Sequence, residues 1–175
     1  MANREALREL QTRLAARLQA ARVEGSSVSS WLAVESAGRR FLLPLGQSGE
    51  IFPWTGVQPV PYTQGWFLGV ANLRGSLIGV VDLAGLLGHS VARTEQALSE
   101  ASLLALNGAL EVNAALLVDR LSGLRGTDAF VDSDPPADGA PPYFGTTYRD
   151  ADGAPWQELN LQALSQHPAF LSISA

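Results

Sequence analysis

The sequence predicts a mainly β domain behind an N-terminal amphipathic helix. Three observations predict it. From Trp31 to Leu159 the apolar residues fall in short runs rather than in helical stripes. Turn formers punctuate those runs: Ser36-Ala37-Gly38, Gly75, Asn107-Gly108 and Asp152-Gly153. Ahead of them, residues 3–23 carry leucines that step by three or four positions.

In the helix, Leu7, Leu10, Leu14, Leu18 and Ala21 line one face. Asn3 is placed to cap it, and Gly25-Ser26-Ser27 ends it. An apolar stripe needs a cover, either its own domain or a partner. Charge favours self-docking. The formal net charge is −5, residues 1–24 hold five Arg against three Glu, and the remainder is therefore −7. The Leu/Ala face lacks aromatic anchors, which argues against a membrane-surface role. We divide the chain into this helix, 1–24, and a β unit, 25–175.

In the β unit, Trp31 to Glu35 and Arg39 to Leu45 form a hairpin about Ser36-Ala37-Gly38. Residues 46–65, rich in Gly, Pro, Gln and Thr, form a loop with one short strand. Trp66 to Leu73 and Leu77 to Val81 are strands around Gly75. Asp82 then caps a short helix, Leu83 to Leu87, ended by Gly88. Residues 89–100 are a polar connection. Ala101 to Leu106 and Leu110 to Val118 flank Asn107-Gly108, a two-residue hairpin signal. Asp132 to Pro142, with its prolines and acids, is a loop. Tyr143 to Arg149 and Trp156 to Leu159 pair about Asp152-Gly153. Asn160 caps a last helix from Leu161, and His167-Pro168 ends it. Gly75, Asp82, Leu83 and Leu86 match Gly153, Asn160, Leu161 and Leu164 at the same spacings. Two similar β subdomains would leave such an echo.

Composition excludes several function classes. There is no cysteine, hence no disulfide framework, thiol nucleophile or thiolate zinc site. All twelve cations are arginine, so no Walker lysine exists. The acidic balance argues against broad nucleic-acid binding. No apolar run is long enough for a membrane span, and a charged N-terminus without a signal core predicts a cytoplasmic protein. His89 and His167 lie in isolated loop contexts. The acids at 128, 132, 134 and 138 lack the order of a calcium loop. No cofactor, metal or enzymatic activity is expected.

The most informative run is Gly69-Val-Ala-Asn-Leu-Arg-Gly-Ser-Leu-Ile-Gly-Val-Val-Asp-Leu83. It displays one arginine, Arg74, on a tight turn without catalytic companions. Arg74 either pairs with a nearby carboxylate or docks a partner through its five-donor fork. Trp54, Trp66 and Phe67 are either core or an apolar rim.

These residues resemble the CheW-like chemotaxis coupling family. Its most recognisable run is Gly-Val-x-Asn-Leu-Arg-Gly-x-x-x-Pro-Val-Val-Asp-Leu. Phe41 to Ile51 is similar to the family strand that ends in Val-x-Glu-Val or Val-x-Glu-Ile. Ala115 to Leu121, Tyr143 to Gly145 and Glu158 to Leu161 resemble later strands. The likeness covers about residues 28–165. Gly79 replaces the usual proline, Ser48 an apolar residue, Gly49 a polar one and Asn160 a second Asp. With the longer N-terminal helix, these departures resemble the PilI-like adaptors of type IV pilus twitching motility. The resemblance implies two small SH3-like β-barrels sharing one core. It implies a non-enzymatic adaptor between a methyl-accepting chemoreceptor tip and the regulatory domain of a CheA-type histidine kinase. It places partner binding at Glu50, Gly69, Asn72, Arg74 and Gly75. The rivals are an unrelated β-barrel module that binds an anionic ligand or peptide through Arg74, and a small hydrolase using Asp82.

Overall fold

A computed structural model describes residues 2–23 and 30–175. Helix α1, Ala2–Val23, comes first. The strands are β1 (Ser30–Ser36), β2 (Arg39–Pro44), β3 (Ser48–Pro53), β4 (Phe67–Leu73), β5 (Ser76–Asp82), β6 (Ser102–Leu106), β7 (Ala114–Val118), β8 (Arg120–Gly126), β9 (Asp132–Asp134), β10 (Phe144–Arg149) and β11 (Pro155–Leu159). Short helices follow hairpins or connections: α2 (Leu83–Leu86), α3 (Glu95–Glu100), α4 (Leu161–Gln166) and α5 (Pro168–Leu171).

The strands form a six-stranded sheet, β8-β1-β2-β11-β10-β9, and a five-stranded sheet, β3-β6-β7-β5-β4. Apart from β9 the two orders superimpose. In each, an antiparallel hairpin (β1–β2 or β6–β7) meets another (β10–β11 or β4–β5) through one parallel pair. The halves of the chain exchange strands. The first half sends β1–β2 into the six-stranded sheet, and the second sends β6–β7 into the five-stranded one. The echo between Gly75–Leu86 and Gly153–Leu164 is this duplication.

Successive side chains point to opposite faces of the strands, and both faces are covered. In β7, Ala114, Leu116 and Val118 join a cluster shared with Leu32, Val34, Phe41 and Leu43 of the other sheet. Ala115 and Leu117 instead join Leu73, Val80 and Leu103 on the opposite face. In the six-stranded sheet, Trp31, Ala33, Leu42 and Trp156 form the corresponding outer cluster. Arg40 and Arg125 lie over the Trp156 ring at 5.6 and 5.3 Å. The fold is therefore two β subdomains with a shared core between them. The hydrogen-bonded order of each sheet runs open from edge to edge.

Helix α1 packs on β3 and residues 45–47 of its own chain. The covered face is narrower than the leucine stripe. Leu14 enters the shared core and Gln11 is buried, donating to the Ser102 hydroxyl at 2.7 Å, whereas Leu10 is 46% exposed. Asn3 lies inside the helix, one residue past its start, and is not the cap. The Leu18 and Ala21 side chains and Gly25-Ser26-Ser27 lie outside the described residues.

Four local expectations are corrected. Asn107-Gly108 does not close a two-residue hairpin. Asn107 accepts from the Ala109 N–H and starts a 3-10 turn, so β7 begins only at Ala114. The polar 89–100 connection contains α3, capped by the Thr94 hydroxyl. The acidic loop holds a short edge strand, β9, paired to β10. Strand β8, absent from the sequence reading, pairs with β1 across a bulge.

Candidate functional site

The β4–β5 turn is built by local chemistry. Leu73 pairs with Ser76, leaving Arg74 (φ 51°) and Gly75 (φ 82°) as central residues. Two positive φ values make the primed turn whose twist suits a β hairpin. The Asn72 Oδ1 accepts from the Gly75 N–H at 2.9 Å and fixes the bend. This conformation is costly for arginine, which has a Cβ, so the turn trades local strain for display of a guanidinium. The Arg74 side chain is 74% exposed.

Arg74 does not project freely. Its Nη2 lies 2.5 Å from Glu50 Oε1. Glu50 sits in β3, at the opposite edge of the five-stranded sheet from β4. Of the five expected partner-binding residues, four therefore act together: Asn72 and Gly75 shape the turn, and Arg74 and Glu50 form its charged face. Gly69 is separate. It is buried at φ 140°, and a Cβ there would run into the Gln58 carbonyl. The cause is a bridge in which the Gln58 and Val70 backbones exchange hydrogen bonds of 2.8 and 2.9 Å. Gly69 thus holds the 54–65 loop against β4 from beneath the surface.

The departures from the family run have physical reasons. The Gly79 N–H donates to the Asn113 carbonyl at 2.9 Å, a bond proline could not make, and a Cβ at Gly79 would press on the Phe67 ring. Ser48 is fully buried, and its hydroxyl donates to the Pro44 carbonyl at 2.8 Å, so it is not at the surface. Trp66 and Phe67 pack on the shared core and Trp54 on the outer cluster, which makes all three core periphery. Leu77, opposite Asn72, is 65% exposed beside the turn.

Asp82 departs from its expected role. It stands before α2, but its side chain makes no cap hydrogen bond. Its Oδ2 instead accepts from Arg93 Nη1 at 2.9 Å, and Oδ1 is buried without a partner. Arg93 also donates to Asp119 from Nε at 2.5 Å. Burial acts to lower the Arg93 pKa, and the hydrogen bonds to Asp119 and Asp82 outweigh it, leaving the pKa above its ordinary value. Asn160, at the matching position, does cap its helix, accepting from the Ala163 N–H at 3.0 Å. Arg93 was missed because it lies in a polar connection with no local sign of its partners.

Among the described residues no group of His, Asp and Glu is placed to hold a metal ion. His167 is a helix cap, its Nδ1 accepting from the Ala169 N–H at 3.1 Å. No described helix is long and apolar enough to cross a membrane.

The described fold is two interlocked β subdomains around one core. The crystal structure of scaffolding protein TtCheW from Thermoanaerobacter tengcongensis matches it with a TM-score of 0.61 at 16% identity, over 75% of this chain and 88% of that one. The chain belongs to the CheW-like domain family, which matches residues 30–169. It is 32% identical to Protein PilI of Pseudomonas aeruginosa over 168 residues, covering 93% of this chain and 89% of the relative.

Proposed function

We propose that the protein is a non-enzymatic adaptor of a cytoplasmic chemosensory array, joining a methyl-accepting chemoreceptor to a CheA-type histidine kinase. The likeness to PilI favours an array that serves type IV pilus twitching motility over flagellar chemotaxis. Residues 25–175 are the coupling unit, and the N-terminal segment, residues 1–24, is an addition to it.

The observation that carries this reading is the Asn72–Gly75 turn, where an exposed arginine is held at a set position by Glu50. A guanidinium fixed in place loses little side-chain freedom on docking, and its fork suits a carboxylate or carbonyl on a partner. Glu50, Asn72, Arg74 and Gly75 form the contact surface, and Gly69 supports it through the 54–65 loop.

The test is binding of purified kinase regulatory domain and receptor tip to the full chain. Both bind the wild type, and Arg74→Ala weakens at least one of them while the circular dichroism spectrum stays native. Failure of both to bind overturns the reading. So does turnover in a hydrolase and phosphatase panel that disappears in Asp82→Asn.

A further inference from the structure

The duplicated strand order gives the molecule two matching seams. Each lies where the chain crosses from one sheet to the other. At the β2–β3 crossover, the Gln47 side-chain oxygen accepts from the Leu161 N–H at 2.7 Å, and the Gln47 carbonyl accepts from the Asn107 N–H at 3.0 Å. That seam is made of neutral amides. At the β7–β8 crossover, Asp119 occupies the equivalent place. Its Oδ2 accepts from the Ala37 N–H at 2.7 Å, and its own N–H donates to the Glu35 carbonyl at 2.9 Å. Here the chain adds a charge. The Arg93 side chain, only 7% exposed, spans from Asp119 to Asp82, with the Ser36 hydroxyl 3.5 Å from its Nη2. Arg93 follows Asp82 by 11 positions, and the residue at the same spacing after Asn160 is Leu171, which is exposed.

We infer that Arg93 is a positioning residue that fixes the angle between the two β subdomains at one seam only. Asp82 ends β5 in the five-stranded sheet, and Ser36 and Ala37 belong to the β1–β2 hairpin of the six-stranded one. One planar guanidinium thus holds the end of one sheet, the crossover, and the hairpin of the other. A planar fork resists rotation where a point charge does not. The tie also anchors the segment after α2. That segment brings Leu87 and His89 to a cavity of about 450 Å³, whose far wall includes Arg39, Phe41, Phe144 and Gln157 of the six-stranded sheet. This inference goes beyond the adaptor reading, and its readout requires no partner.

The experiment measures the angle directly. The chain has no cysteine, so spin labels placed by Ala109→Cys and Asp152→Cys report the distance between the sheets. Both positions are exposed, one in the β6–β7 connection and one in the β10–β11 turn, and neither belongs to the Arg93 cluster or the Arg74 turn. Wild type gives one narrow distance distribution. Replacing the whole cluster, with Asp82→Asn, Arg93→Met and Asp119→Asn together, removes its three charges at once and avoids stranding one. The distribution then broadens or shifts while the circular dichroism spectrum stays native. A folded triple variant with the wild-type distribution overturns the inference. If the triple variant does not fold, Arg93→Lys decides. It keeps the charge and loses the fork, so broadening supports the inference and an unchanged narrow distribution overturns it.

Discussion

Arg74 and Glu50 join the two outermost strands of the five-stranded sheet. Their side chains meet at 2.5 Å, although β3 and β4 share no ladder. A curled sheet brings its edges together, and here a side-chain pair spans the gap that hydrogen bonds leave open. The same pair is the charged face proposed for docking, so stability and binding can be read separately on it.

Arg74→Ala and Glu50→Ala should each change stability little. An exposed ion pair is worth about 0–1 kcal/mol, and one partner here is largely in solvent. Affinity for the kinase regulatory domain or the receptor tip should fall by about 1–3 kcal/mol in Arg74→Ala. Melting curves and titration calorimetry on one preparation check both numbers. A melting temperature lowered by many degrees, with affinity intact, would make the arginine purely structural.

Asp82→Ala and Asn160→Ala should differ although the residues match in the duplication. The first leaves a buried Arg93 with one of its two carboxylates, at a cost of about 3–5 kcal/mol. The second removes one helix cap, at about 1 kcal/mol. Urea denaturation of the two variants gives the comparison. Equal losses would mean that Asp82 acts as an ordinary cap after all.

Along α1, Leu14→Ala should cost about 2–5 kcal/mol, since it empties a place in the shared core. Leu10→Ala should be nearly neutral, because its side chain is already 46% exposed. Deleting residues 2–23 should lower the melting temperature and expose a surface that binds hydrophobic dye. An unchanged melting temperature would instead make the helix a partner-binding segment.

On the acid side, Asp150 should contribute a titration of its own. The Trp156 indole N–H donates to it at 3.1 Å, and the Ala154 and Asp152 N–H groups donate at 2.9 and 3.0 Å. These bonds, the indole's first, hold its pKa below the usual carboxylate value. A depressed folded pKa means stability that is full above the unfolded pKa, near 4, and is lost as pH falls through the lower folded value. Asp150→Asn should flatten the stability profile in that acid window alone. Chemical denaturation at a series of pH values tests it, and a profile as steep as wild type would contradict it.

Legibility in the sequence followed how local the cause was. Ala37-Gly38, Arg74-Gly75 and Asn160 act on neighbours within a few residues, and each is where its pattern placed it. Asp82 carries the same local signal as Asn160. Its carboxylate went to Arg93 because a buried guanidinium outcompetes a backbone N–H at the start of a four-residue helix. Strand β8 contains two glycines and two arginines in Arg120–Gly126, a poor strand by propensity, and its pairing with β1 overrides that. The turn of the candidate site was legible from Asn72 to Gly75. The Glu50 contact was not, since only the curl of a whole sheet brings residue 50 to residue 74.

The exchange of hairpins between the halves has a consequence for how the chain is made. The six-stranded sheet needs β1 from its beginning and β11 from its end, so Phe41 waits for Gln157 before their parallel pair can exist. A ribosome that has released only the first half has released a hairpin whose sheet partners are still unsynthesised. Such long-range pairing makes for slow folding, and it leaves Leu32, Val34 and Leu43 uncovered in the meantime. Each sheet draws strands from both halves of the chain, so a stalled or truncated product keeps neither sheet whole.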